Sequence, residues 1–484
     1  MKVCVNSQGF SYDVHSIVKA FYPEEEVAIV VSDDDPEADL TVFVSCGDVP
    51  KDDTTSGYVK VENTQGAGRV ERYEEYRELT RPLVKNLLKR NLYEVLASVS
   101  GRTLPWGTMT GIRPVKVPMK LIRQNEDDGR ILEYLKSVYY CSDRKARLAI
   151  EIAHREKKIL DGLNENGFSL YVGIPFCPTT CLYCSFTSFP ISSWKERTDD
   201  YLAALKKELD FFAGYYSGRC VDSIYIGGGT PTTLTRSQLE DLTGYIRRSF
   251  DLSHLQEFTV EAGRPDSITA EKLEALSAAG VGRISINPQT MNDKTLRLIG
   301  RRHSVDDVYR AFEAARNAGF DNINTDLILG LPGEDEADVA NTLACIGKLA
   351  PESVTIHSLA IKRAANMHEF LTKHADIKSR NSAEMMDMAA GYARSHDLLP
   401  YYLYRQKNMS GNYENTGYAR DGCFGIYNIA IMEETTDIAA AGAGTISKRV
   451  FAKDRIERCD NVKDVALYID RIDEMIEKKK KLFS

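Results

Sequence analysis

Tyr171–Val172–Gly173–Ile174–Pro175–Phe176–Cys177–Pro178–Thr179–Thr180–Cys181–Leu182–Tyr183–Cys184 is the stretch on which the reading of this chain turns. A short apolar run over 169–176 reads as a strand. It delivers the chain into three cysteines spaced Cys-x3-Cys-x2-Cys, all within eight residues. Thiolates crowded on one loop suit a soft metal centre. A closed zinc site wants four ligands and would need its fourth from elsewhere. A [4Fe–4S] cluster has four irons, so three cysteines leave one iron open for another ligand. Ten cysteines in 484 residues are too sparse for a disulfide scaffold. Three unrelated buried thiols would not account for so tight a spacing.

Downstream, strand and helix patterns alternate. Strands are expected at 169–176, 223–226, 257–261, 283–287, 322–329 and 353–359, with helices over 196–213, 236–250, 270–279, 304–318 and 336–349. Alternating βα units predict a parallel sheet with right-handed crossovers. Six units are too few for a closed eight-fold barrel. Chemistry in such folds gathers where the strands end, and polar residues stand at those points. Gly227–Gly228–Gly229–Thr230–Pro231–Thr232 follows the second strand, and consecutive glycines let a backbone approach a ligand closely. Glu261 ends the third strand, Gln289 lies just past the fourth with Arg301 beyond it, and Asp326 sits in the apolar run of the fifth. A carboxylate there needs a partner, which a cation or a ribose hydroxyl would supply.

Four segments follow from this pattern. Residues 1–100 read as a small α/β domain, with strands near 3–5, 27–31 and 40–44 and helices over 13–22 and 72–98. Residues 101–165 read as a helical linker region. Residues 166–360 form the βα array, and residues 361–484 a C-terminal α+β region. Leu104–Pro105–Trp106–Gly107–Thr108–Met109–Thr110–Gly111–Ile112–Arg113–Pro114 breaks the helical pattern. It is either a turn pinned by a buried tryptophan or a substrate-facing loop offering Arg113. Tyr401, Tyr402, Tyr404, Arg405, Tyr413 and Tyr418 crowd together, as an aromatic packing cluster or as a wall for a flat apolar ligand. Residues 462–480 read as one amphipathic helix ending in a solvated lysine run.

The net charge of −8 gives no basic surface for nucleic acid. Met1–Lys2–Val3–Cys4–Val5 opens no long apolar run, and no membrane insertion is expected. The expected location is the cytoplasm, where thiols stay reduced.

The cysteine spacing resembles that of the radical S-adenosylmethionine (radical SAM) enzymes. In these the open iron is chelated by the amino and carboxylate groups of SAM. Tyr-Val-x-Ile-Pro-Phe-Cys, Gly-Gly-Gly-Thr-Pro-Thr and Asp-Leu-Ile-x-Gly-Leu-Pro-Gly together resemble the oxygen-independent coproporphyrinogen III oxidase family. The tryptophan loop and long N-terminal domain resemble its coproporphyrinogen dehydrogenase branch. The resemblance implies a partial (β/α)6 barrel, open on one side. It implies conversion of two propionates of coproporphyrinogen III to vinyls with loss of CO2, giving protoporphyrinogen IX, and an electron donor such as flavodoxin or ferredoxin. Matched by position, Cys177, Cys181 and Cys184 would hold the cluster. Tyr171, Gly228, Glu261 and Ile446 would surround the cluster-bound SAM. Tyr183, Gly229, Thr230, Gln289, Arg301, Asp326 and Ala360 match positions that contact a second SAM. Arg113 and Arg405 are candidates for the substrate carboxylates, since arginine grips carboxylates through its fork.

Two departures bear on function. Oxidases of the family carry a further cysteine where this chain has Phe186, and related heme-trafficking proteins have an aromatic residue there. Those proteins also carry a His-Asn-x-x-Tyr-Trp segment. Here the comparable region reads Gly425–Ile426–Tyr427–Asn428–Ile429, and no histidine follows His396. A heme carrier and a tetrapyrrole-acting radical SAM methyltransferase are the alternative readings. The cluster reading predicts about four irons per chain after anaerobic reconstitution. Cys181→Ala should lose them, and retention of iron by that variant would remove the reading.

Overall fold

The computed structural model describes the chain except residues 24, 34, 46–52, 65–68, 361–366, 375, 407–412, 452–454 and 484, and the side chain at 368. The start of the C-terminal segment, 361–366, thus lies outside the described residues. Compactness divides the chain into two units rather than four segments: residues 1–154 with 404–407, and residues 155–403 with 408–484.

The first unit holds a five-stranded sheet. Lys2–Val5 pairs in parallel with Ala28–Val31 and Leu40–Ser45, and Thr54–Asn63 and Val70–Thr80 add antiparallel strands. Ser11–Phe21 and Arg81–Ser100 supply helices whose buried residues, such as Val14, Ile17, Leu88 and Leu92, pack with Val3, Val42 and Val61. The expected helix over 72–98 is corrected here: its first part is a strand. Val70–Thr80 carries Glu71, Glu74, Glu75 and Glu78, and only Tyr76 is buried, so it suits a solvated sheet edge. The leucine spacing that suggested a helix belongs to residues after Thr80. Three helices follow, Lys116–Arg123, Asp128–Tyr139 and Asp143–Leu160.

The second unit is built on one eleven-stranded sheet. Its strands are β1 (Phe168–Ile174), β2 (Val221–Gly228), β3 (Glu257–Gly263), β4 (Arg283–Ile286), β5 (Ile323–Leu329), β6 (Ser353–Ser358), β7 (Leu399–Tyr404), β8 (Asn415–Ala419), β9 (Asp437–Ala441), β10 (Ile446–Val450) and β11 (Ile456–Asp460). The order is β7-β8-β6-β5-β4-β3-β2-β1-β9-β10-β11. Strands β1 to β6 are parallel, each paired with the next. The intervening helices are α1 (Thr198–Tyr215), α2 (Arg236–Ser249), α3 (Ala270–Ala278), α4 (Val305–Asn317) and α5 (Glu336–Leu349). Phe168, Leu170, Val172 and Ile174 of β1 join Leu205, Leu209 and Phe212 of α1 in the main core. The alternate residues Ser169, Tyr171 and Gly173 turn to the opposite, polar face.

One element escaped the sequence pattern. β9 is a seventh parallel strand, paired with β1 on the side away from β2. Its Asp-Ile-Ala-Ala-Ala sequence is too short and too alanine-rich to read as a strand alone. The stretch from 462 also differs from the expected single helix. Val465–Asp470 and Ile472–Phe483 are separate helices, and Lys479 is not solvated but fully buried. Ile472, Met475, Lys479 and Phe483 share one helical face, so the lysine lies on the apolar side.

Lys479 forms an ion pair at 2.6 Å with Glu208 of α1, itself wholly buried. Glu208 also accepts hydrogen bonds from the Gly442 N–H at 2.8 Å, Tyr468 at 2.5 Å and Asn461 at 2.8 Å. Gly442 has φ 114°, and a Cβ there would meet the Gly173 carbonyl oxygen at 2.5 Å. The pair therefore fixes the turn after β9 against β1. Lys479→Met should lower unfolding free energy by about 3–5 kcal/mol in urea denaturation, because it strands a buried carboxylate. Glu208→Gln combined with Lys479→Met should recover part of that loss. A single variant within about 1 kcal/mol of the parent would refute the role.

Candidate active site

The cysteine loop leaves β1 at the carboxyl ends of the strands. Cys177 and Cys181 are buried, Cys184 half-buried, and all three are free thiols. Two backbone bonds set the loop's position: the Gly229 N–H donates to the Ile174 carbonyl at 2.8 Å and the Thr230 N–H to the Phe176 carbonyl at 2.7 Å. A Cβ at residue 229 would stand 2.6 Å from the Phe176 oxygen. The glycine run is thus required by the cysteine strand itself. Thr230 Oγ1 lies 3.4 Å from Cys177 Sγ. Burial pushes the Cys177 thiol up to about 11. Any metal bound there would have to displace this proton, since only the thiolate is a ligand.

The far side of the loop is held by arginines. Arg264 Nη1 donates to Thr179 Oγ1 at 2.6 Å and the Thr179 carbonyl at 3.0 Å, and lies 3.9 Å from Cys181 Sγ. Arg301 donates to the Tyr183 hydroxyl at 3.0 Å and to the Asn287 carbonyl. Leu182 N–H bonds the Ile299 carbonyl at 3.0 Å. Leu182 and Tyr183 pack on Ile299, Ile328, Leu331 and Leu359.

The polar face of the sheet carries the remaining candidates. Glu261 accepts from the Tyr225 hydroxyl at 2.6 Å. The rings of Tyr171, Tyr225 and Tyr427 stack, with Tyr225 and Tyr427 centroids 4.7 Å apart. Burial raises the Glu261 carboxyl to about 7; the nearby Asp326 charge adds to this, while bonds from Tyr225 and the Gly228 backbone oppose it. Gln289 has φ 72°, rare for a residue with a side chain. It is held there by β5: its N–H donates to the Asp326 carbonyl at 3.1 Å and its carbonyl accepts from Ile328 at 2.9 Å. Asp326 accepts from Asn324 at 2.8 Å and faces His357 at 3.7 Å. Burial pushes the Asp326 carboxyl up, but His357 and these hydrogen bonds outweigh it and hold the group below its ordinary range. Ala360 directly follows Leu359, whose N–H bonds the Leu329 carbonyl at 3.0 Å at the end of β6. Ile446 opens β10, 45% exposed, beyond the turn that Glu208 secures.

Arg113 and Arg405 lie in the first unit, and they stand together. The Arg405 N–H donates to the Ile112 carbonyl at 2.8 Å, and its guanidinium bonds the Met109 carbonyl. Trp106 is fully buried in the same loop. The tyrosine group resolves as packing at its centre: Tyr401 and Tyr402 are buried, their rings 4.8 Å apart. Residue pattern alone missed Tyr225, Tyr427, Arg264 and His357. The inward alternation along β2 and β6 marks Tyr225 and His357; no local signal marks the other two.

Among the described residues, no three histidine, cysteine or acidic side chains converge as they would on a single metal ion. A [4Fe–4S] cluster, three of whose irons would each take one cysteine sulfur, sets a looser requirement, and the three thiols with their cationic surround fit it. This fold and loop define a radical SAM protein, and residues 171–346 match the model of the Radical SAM superfamily. Proteins of that superfamily use a [4Fe–4S] cluster and SAM. The oxygen-independent coproporphyrinogen-III oxidase-like protein HemZ of Bacillus subtilis (strain 168) is 36% identical over 478 residues, covering 96% of this chain and 94% of its own. The heme chaperone HemW of the same organism is 34% identical over 263 residues, 53% of this chain and 68% of its own. In fold, the structure of coproporphyrinogen III oxidase (HemN) from Escherichia coli matches with a TM-score of 0.52 at 24% identity, over 69% of this chain and 73% of that one. The chain belongs to the oxygen-independent coproporphyrinogen-III oxidase-like family. No helix among the described residues is long and apolar enough to cross a membrane.

The raised Glu261 carboxyl gives a pH signature. The native state holds this proton more tightly than the unfolded chain, whose carboxyl has the ordinary value of 4.5. Its contribution to stability therefore falls as pH rises from 4.5 through about 7. Glu261→Gln should flatten the fall of the urea midpoint between about pH 5 and about pH 8. An unchanged slope would show the carboxyl ionised throughout.

Proposed function

We propose that the protein is a radical SAM oxidoreductase acting on a tetrapyrrole, and that its reaction is oxidative decarboxylation of two propionates of coproporphyrinogen III to vinyls. The observation that carries this reading is the assembled set around the cysteine loop. Tyr183 and Arg301 are hydrogen-bonded, and Gln289 and Asp326 are bonded through their backbones at the same strand ends. Full-length similarity to an oxidase-like relative supports it.

In this reading Cys177, Cys181 and Cys184 hold the cluster. When bound, cluster and SAM supply a 5′-deoxyadenosyl radical that takes a hydrogen atom from the substrate side chain. The chain's own groups bind and shield. Gly228, with Tyr171 and Glu261 facing it, would receive the first SAM, with Ile446 closing one side. Glu261, its carboxyl raised to about 7 by burial, would in its protonated form donate a hydrogen bond rather than repel a carboxylate. Tyr183, Gly229, Thr230, Gln289, Arg301, Asp326 and Ala360 would hold a second SAM, with Asp326 kept ionised for a hydroxyl or cationic group. Arg113 and Arg405 are proposed for the substrate propionates.

Phe186 favours the second reading, a heme chaperone. It is an aromatic residue, 71% exposed, two positions after the last cysteine of the loop. Against it stands the lack of any histidine after His396. Incubation of the reconstituted protein with coproporphyrinogen III, SAM and a reductant should give product masses showing loss of two carboxyl groups. A mass gain of a methyl group would assign a methyltransferase instead. Stoichiometric heme binding with a Soret shift and no turnover would assign the chaperone. Arg113→Ala and Arg405→Ala should each abolish decarboxylation while keeping iron content and basal SAM cleavage; full turnover in both would remove them from the substrate site.

A further inference from the structure

Arg264 has no part in the roles assigned above, yet its buried guanidinium reaches a cysteine of the loop. It follows β3, is 3% exposed, and spends its whole guanidinium. Nε and Nη2 form a fork with Asp266, at 2.9 and 2.6 Å. Nη1 bonds Thr179 twice and reaches Cys181 Sγ at 3.9 Å. The fork fixes the guanidinium plane, so the charge cannot swing away from the sulfur. Thr179 Oγ1 passes the tie on to the Gly300 carbonyl at 3.1 Å.

The neighbouring charges do not cancel it. Arg301, also buried, is hydrogen-bonded to the Tyr183 hydroxyl at 3.0 Å and lies near the same sulfur. Asp266 is the one carboxylate in direct contact, and at 19% exposure it faces water. His303 stands behind, both ring nitrogens without a hydrogen-bond partner and Nδ1 3.9 Å from Asp266. Burial, aided by Arg301, pushes its imidazole down to about 4, so it adds no charge at neutral pH. Cys181 is thus the corner of the loop against which two fixed cations are set.

We propose that Arg264 is a redox-positioning residue: it holds a fixed positive charge against the Cys181 thiolate and so biases the cluster toward its reduced form. Reduction adds one electron to the cluster without breaking a bond. A cation within hydrogen-bonding range of a ligating sulfur stabilises the added charge, strongly so where water is excluded. The inference rests on Cys181 being a ligand and is independent of which tetrapyrrole reaction follows.

The test is the cluster midpoint potential, read by EPR-monitored titration of anaerobically reconstituted full-length protein without SAM, beside its iron content. Arg264→Gln keeps an N–H donor and removes the charge. It should hold the cluster and shift the reduced-to-oxidised ratio at a given potential at least tenfold toward oxidised, about 59 mV for a one-electron couple. Arg264→Lys keeps the charge and should stay within that step of the parent. A fully loaded Gln variant with the parent's midpoint overturns the proposal. If the Gln variant does not load, the Lys variant decides: loading at the parent's midpoint supports a charge requirement, while failure to load or a shifted midpoint assigns Arg264 to loop scaffolding alone. A full cluster in Cys181→Ala would overturn the ligand assignment beneath it.

Discussion

No side chain can stand at residue 229, and much of the site depends on that exclusion. The backbone of 227–230 runs against the end of β1 closely enough to bond the Ile174 and Phe176 carbonyls. Those bonds fix where the strand stops and where Cys177 points. They also bring Thr230 Oγ1 to the Cys177 sulfur and set Gly227 within 3.0 Å, measured from an added Cβ, of the Glu261 carboxyl. One close approach between two parallel strands thus places the first cysteine, the glycine run and the third strand's carboxylate together. A larger residue would have to part β1 from β2, and the loop would lose its footing before any cofactor arrived.

The polar face of the sheet is the second constraint. Most core-facing positions on β1 to β6 are apolar, and the alternate positions carry Ser169, Ser223, Glu257, Arg283, Asp326 and His357. Such a face costs stability unless its groups bond one another. They largely do. Glu257 accepts from Thr259 at 2.6 Å and from the Tyr427 N–H at 3.0 Å; Ser223 donates to Ser169 at 2.8 Å; Arg283 donates to Ser353 at 3.1 Å. Helix Ile426–Glu433 matters here, since Tyr427 both satisfies Glu257 and stacks on Tyr225. Through these two contacts the helix joins the groups of the polar face.

The βα array was legible because each strand is a short apolar run bounded by glycine or polar residues, and each crossover helix has an amphipathic period. The candidates Glu261, Gln289 and Asp326 were legible as polar breaks at strand ends. What was not legible depended on partners distant in sequence. β9 is defined by its pairing with β1, more than 260 residues earlier. Lys479 looked like part of a solvated run because four lysines in a row hide which one faces inward; only Glu208 selects it. Val70–Thr80 looked helical because its single leucine, Leu79, runs into the leucine spacing of the helix that follows. Arg264 sits in an ordinary Gly-Arg-Pro turn, and its reach to Thr179 and Cys181 spans more than 80 residues.

Position 186 shows how these constraints divide structure from function. Phe186 is 71% exposed. The backbone beside it is chosen: Thr187 lies so close to Gly444 that an added Cβ there would meet Thr187 Oγ1 at 2.4 Å. The turn after β9 therefore holds the end of the cysteine loop, and that turn is in turn held by Glu208, Asn461 and Lys479. The segment's position is fixed from behind while residue 186 faces outward. A cysteine or an aromatic residue can occupy it without disturbing the three thiols. Through Glu208 and Asn461, the buried Lys479 of the last helix is tied to the turn that packs against Thr187.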